Sequence, residues 1–147
     1  MGIAIPTTYR DVDGHLVTLL RIAARHQLVT VDLNSSTVYP PAQGEPVGVQ
    51  AGDGTRLGAL TRDRLATLIA TLSLPDPWLV LERLPQRYIQ TQRRDDGAFT
   101  LEVRLGSADQ HFQTTIPDAP STVALMWSWV LAEPDWDSGI RWTRLEF

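Results

Sequence analysis

Between residues 87 and 116 the chain alternates polar and apolar side chains strictly enough to leave few choices of fold. Over residues 87–94, Tyr88, Gln90, Gln92 and Arg94 take one side, with Ile89 and Thr91 on the other. Over 97–105, Phe99, Leu101, Val103 and Leu105 oppose Thr100, Glu102 and Arg104. Over 111–116, Phe112, Thr114 and Ile116 oppose His111, Gln113 and Thr115. A period of two is the signature of a strand with one face buried. Asp95-Asp96-Gly97 supplies the positive φ that a tight hairpin needs. Three such strands in succession predict an antiparallel sheet with one apolar and one polar face. The polar face is either plainly solvated or receives a partner protein, since aromatic residues and arginine are what interfaces enrich.

The rest of the chain supplies what would cover the apolar face. Residues 11–26 carry Leu16, Leu19, Leu20 and Ala23 at helical spacing. Asp11 and Asp13 near the start and Arg21, Arg25 and His26 near the end suit the helix dipole, and Gly14 weakens the first turn. Residues 28–33 read as a strand with Val29, Val31 and Leu33 on one side. A loop with Pro40-Pro41 follows, broken by a short strand at 37–39. Gly52-Asp53-Gly54 reads as a hairpin turn between two more strands. It has no lysine and so is no phosphate-binding loop. Thr61 caps a second helix over 62–72 that turns Leu65, Leu68, Ile69 and Leu72 inward. Pro75 and Pro77 stop it, and 77–84 is either a buried strand or a link. A third helix, capped by Ser121, runs to about residue 132 and is apolar almost all round. It is therefore either buried on two sides or exposes a patch for a partner. Residues 140–147 close as a strand. The fold class expected is α+β: one domain over 1–147, a mostly antiparallel twisted sheet with about three helices packed mainly on one face.

Composition narrows the function. A chain of 147 residues with 43% hydrophobic residues buries a core without disulfides, and it has no cysteine to form one. No apolar run reaches a membrane-spanning length, and the N-terminus lacks the basic-then-apolar pattern of a secretory signal, so a cytoplasmic location is expected. Gly2 followed by Pro6 does not fit a myristoylation motif. The net charge is −4 and every basic residue is arginine. Mild acidity argues against direct nucleic-acid binding and suits a basic protein partner. His15, His26 and His111 form no metal-binding pair, and no nucleophile elbow or phosphate loop is present. Glu133, Asp135 and Asp137 lack calcium-loop spacing. No metal, no cofactor and no enzyme are the expectations. Trp136 between Asp135 and Asp137 is a candidate hot spot against a basic surface. Trp142 reads as core as readily as contact.

The stretch YIQTQRRDDGAFTLEVRLGSADQHFQTTIPD, the apolar helix after it and PDWDSGIRWTRLEF together resemble the bacterial immunity proteins of polymorphic toxin systems. The similarity is greatest to the family typed as number one, which includes inhibitors of deaminase toxins. It is carried by Glu102 ahead of the turn Gly106-Ser107-x-Asp109 and by the terminal Ile-Arg-Trp-x-x-Leu around Trp142. The hairpin GDGTRLGAL also looks like the family's middle section, so the likeness is strongest over about residues 47–147. The resemblance implies a cytoplasmic protein that binds and neutralises the C-terminal enzymatic domain of a secreted toxin, one for one. The residues it would use are Tyr88, Gln90, Glu102, Arg104, Asp109, His111, Asp135, Trp136, Asp137 and Trp142. Two rivals stay open. A small-molecule-binding or regulatory domain with tryptophans in its pocket would show ligand-dependent tryptophan fluorescence. A secretion-system chaperone or adaptor would bind an export substrate without neutralising an activity.

Overall fold

A computed structural model describes residues 12–40 and 43–146. Asp11 and the N-terminal stretch before it, Pro41 and Phe147 lie outside the described residues. Three α-helices run over Val12–Arg25 (α1), Arg62–Thr71 (α2) and Ala119–Val130 (α3). The strands are Thr30–Asp32 (β1), Thr37–Tyr39 (β2), Gly48–Ala51 (β3), Arg56–Leu57 (β4) and Trp78–Leu84 (β5). They continue with Arg87–Arg93 (β6), Phe99–Leu105 (β7), His111–Ile116 (β8) and Thr143–Arg144 (β9). β1 and β2 pair as a separate ribbon. The others form one seven-stranded antiparallel sheet in the order β4-β3-β5-β6-β7-β8-β9. The chain is α+β, as the alternation predicts.

Residues 77–84 settle as a strand at the centre of the sheet, between β3 and β6. One sheet face carries Val49, Leu79, Leu81, Ile89, Leu101 and Val103, and helices α2 and α3 close over it. Leu65, Leu68 and Ile69 of α2 and Val123, Met126 and Trp129 of α3 complete that core. Thr91, a buried polar residue on this face, satisfies its hydroxyl by donating to the Thr100 carbonyl at 3.0 Å. The turns behave as expected. Gly97 takes φ +86°, and the Asp53 carboxylate accepts the Thr55 N–H at 2.8 Å.

Helix α1 does not join α2 and α3. Gly48 lies opposite Glu82, and Glu82 opposite Tyr88, which puts Gly48 on the polar face. A Cβ on Gly48 would strike Val17, and one on Gly58 would strike the Leu20 carbonyl. The two glycines therefore let α1 lie directly on the polar face at its β3–β4 end. This turns the buried stripe partly away from the expected one: Leu20 and Ala23 are buried as expected, Val17 and Ala24 join them, and Leu16 and Leu19 are only half-buried. Arg21 is buried as well and donates to the Arg83 carbonyl. Desolvation pulls its guanidinium below the ordinary arginine range, Glu82 opposes that, and Arg25 adds to it.

Other differences are local. Asp118, not Ser121, caps α3: its carboxylate accepts the Ser121 N–H at 2.8 Å. The helix then begins three residues earlier than a Ser121 cap allows, because Pro120 is tolerated in a first turn whose N–H groups are unpaired anyway. The closing strand shrinks to Thr143–Arg144. The strand expected over 28–33 shortens to Thr30–Asp32, and Val29, Val31 and Leu33 are all exposed, so the β1–β2 ribbon turns apolar residues outward.

Candidate partner-binding face

With α1 over β3 and β4, no helix among the described residues covers the polar face along β6, β7 and β8. The register arranges it in rows. Tyr88, Arg104 and His111 stand side by side, and so do Gln90, Glu102 and Gln113. Gln92, Thr100 and Thr115 make a third row. Pairing brings three residues of β5 onto the same face, Trp78, Val80 and Glu82. The alternation of WLVLERL already places them opposite Leu79 and Leu81, a signal present in the sequence but not used. Trp78 and Val80 are half-buried and, with Gln90, Thr100 and Glu102, line a shallow depression of about 200 Å³.

Glu102 is the hub of the face. Gln90 Nε2 donates to Glu102 Oε2 at 2.7 Å, and His111 Nε2 lies 3.2 Å from the same oxygen. The imidazole is only 4% exposed, and its ring meets Tyr88 edge-on with centroids 5.9 Å apart. Tyr88, Gln90, Glu102 and His111 thus form one continuous group, fixed by contacts across three strands. Arg104 stands in the same row but at its end, where it lines a neighbouring cleft.

The remaining predicted residues lie elsewhere. Asp109, in the 3-10 turn Ala108–Gln110, faces Arg144 at 3.6 Å rather than Glu102, so the two acids serve separate partners. Trp136 and Trp142 pack on each other with centroids 5.8 Å apart and close the edge of the core under α3. Trp142 is thereby part of the core packing. Asp135 is exposed, with φ +54°, and Asp137 is half-buried. Among the described residues no group of three His, Asp or Glu side chains could hold a metal ion. No helix among them is long and apolar enough to cross a membrane.

No family model, curated protein or solved structure matches the chain.

Proposed function

We propose that this chain is an immunity protein, a cytoplasmic one-to-one inhibitor that seats the enzymatic domain of a toxin on the open sheet face. The observation that carries the reading is the ordered polar group Tyr88–His111–Glu102–Gln90 on the part of the sheet face that no helix among the described residues covers. An interface whose side chains are already held by one another loses little conformational entropy when the partner arrives. Tyr88 in the group and Arg104 at the end of its row are residue types that specific protein contacts enrich. The net charge of −4 favours a basic partner, as nucleic-acid-directed toxins present. The protein acts by occlusion, without chemistry of its own, and needs no cofactor.

The test is co-expression with candidate toxin domains, joined to a pull-down of the tagged protein from its native cells at low and moderate salt. Rescue of growth together with a one-to-one complex supports the reading. Capture of an export substrate with no rescue replaces it by the chaperone reading. A clean monomer with neither rescue nor partner overturns it.

A further inference from the structure

The depression of about 200 Å³ on the open face joins an apolar wall to a single charge. Trp78 and Val80 of β5 form the wall, and Gln90, Gln92, Thr100 and Glu102 of β6 and β7 line the rest. The register sets them in two adjacent rows, Val80–Gln90–Glu102 and Trp78–Gln92–Thr100. Among the described residues that line the depression, Glu102 is the one ionisable group. The basic side chains of the next row are engaged elsewhere: His111 meets Glu102 Oε2, and Arg104 lines the neighbouring cleft.

Trp78 and Val80 stand apart from the core cluster that α2 and α3 close. Among the described residues the Trp78 indole makes no ring, cation–π or hydrogen-bond contact. A tryptophan so placed on a polar sheet face is the residue type on which interfaces anchor. The acceptors beside it are fixed but not saturated. Glu102 Oε2 accepts from Gln90 Nε2 at 2.7 Å and lies 3.2 Å from His111 Nε2, while Oε1 accepts no hydrogen bond among the described residues. Because Gln90 turns its amide nitrogen to Glu102, its amide oxygen is also left to accept. The Glu102 side chain is 23% exposed, so it can be reached, yet its charge is partly out of water and pairs more strongly there than on an open surface.

We infer that this depression seats one arginine side chain of the partner protein. The inference rests on the reading that a protein partner docks on the open face, and it names the group that the face receives. A guanidinium is planar, weakly hydrated and carries five donors, so it can serve Glu102 Oε1 and Gln90 Oε1 together. Its flat face and its aliphatic stem suit the wall of Trp78 and Val80. A lysine ammonium is more strongly hydrated and has no flat face, so it suits the same place less well. The size agrees: about 200 Å³ takes a single long side chain, whereas a helix, about 10 Å across, stays outside. The net charge of −4 draws a cationic partner toward the same face.

The test titrates the purified full chain with N-acetyl-arginine amide at constant ionic strength, following the indole N–H signals of its five tryptophans by NMR. Trp78→Phe assigns the Trp78 signal. That signal should shift saturably with a Kd below about 20 mM, while the other four stay in place. N-acetyl-lysine amide should bind at least about threefold more weakly, and the uncharged N-acetyl-citrulline amide at least about tenfold more weakly. Glu102→Gln, which keeps the shape and removes the charge, should weaken the arginine probe by about tenfold. If that variant does not fold, Trp78→Leu decides, read at the backbone amides of Gln90, Thr100 and Glu102, with a loss of about threefold or more. No saturable shift overturns the inference. So does lysine or citrulline probe binding as tightly as the arginine one, or equal affinity in the variants. The probe needs no partner, so the two readings fail separately. Probe binding without rescue of growth removes the immunity role and leaves the arginine seat, and rescue without probe binding does the reverse.

Discussion

A single carboxylate, Glu102, holds the open face together. Its Oε2 accepts from Gln90 and faces His111, and its side chain is 23% exposed against 6% for His111. Glu102→Ala strips the acceptor from Gln90 and removes the carboxylate beside the largely buried His111 imidazole. The expected cost is about 1–3 kcal/mol, read as a lower urea midpoint with an unchanged slope. Glu102→Gln, which keeps the shape and one acceptor oxygen, should cost less. Equal midpoints for Glu102→Ala and the parent would mean that the group is surface decoration. That Tyr88, Glu102 and His111 share a side is legible from the period of two. That His111 is buried there is not, because one of the groups packed on it is the Tyr88 ring, two strands away across β7. The placing of Asp109 was illegible for a similar reason: its partner Arg144 belongs to a strand 35 residues downstream in number alone, and only the sheet order brings them together.

Among the elements, α1 shows how local pattern and tertiary placement separate. Its apolar spacing announces a helix, yet nothing in that spacing tells which face of the sheet it will cover. The decision lies in Gly48 and Gly58, each the one residue small enough where the helix touches the sheet. At Gly58 an added methyl meets backbone, the Leu20 carbonyl, which cannot rotate aside. Gly58→Ala should therefore lift α1 and destabilise the fold by about 1–3 kcal/mol. A thermal melt within error of the parent would contradict that placement of the helix. Helix α3 carries a pH signature instead. Accepting the Ser121 N–H holds the Asp118 carboxyl below its ordinary value of 3.8. A folded value lower than the unfolded one means that the cap stabilises above the unfolded value and is lost as pH falls through the folded one. Asp118→Asn keeps an oxygen for the cap but does not titrate, so its melting temperature should fall less steeply than the parent's as pH drops below about 4. Asp32 and Asp53 are shifted the same way by their own hydrogen bonds, so a shallower slope, not a flat one, is the expected result. Equal slopes would remove the cap from the acid dependence.

On the scale of the whole molecule, the two edges of the large sheet are strands of two residues each, β4 and β9. Short edges discourage pairing with a foreign strand, which agrees with the proposal that a partner seats on the open face rather than at an edge. An acidic chain should then find a basic partner through long-range attraction, and that attraction is separable from the contacts made after docking. Asp109→Asn with Asp135→Asn tests the separation. Both residues are exposed, and the Asp109–Arg144 pair, at 3.6 Å with side chains 89% and 57% exposed, contributes little to folding. The double variant keeps the Glu102 group intact while cutting the charge that steers. Stopped-flow or surface-based kinetics with the captured toxin domain should show a slower on-rate, a nearly unchanged off-rate and a shallower dependence on salt. The difference between variant and parent should shrink once the screening length drops to roughly 10 Å, near 0.1 M salt. If the on-rate and its salt dependence match the parent's, charge does not guide this encounter, and recognition rests on the packed contacts around Tyr88, Gln90 and His111 alone. If the off-rate rises instead, Asp109 or Asp135 touches the partner directly, and the interface reaches past the sheet face to the loop after α3.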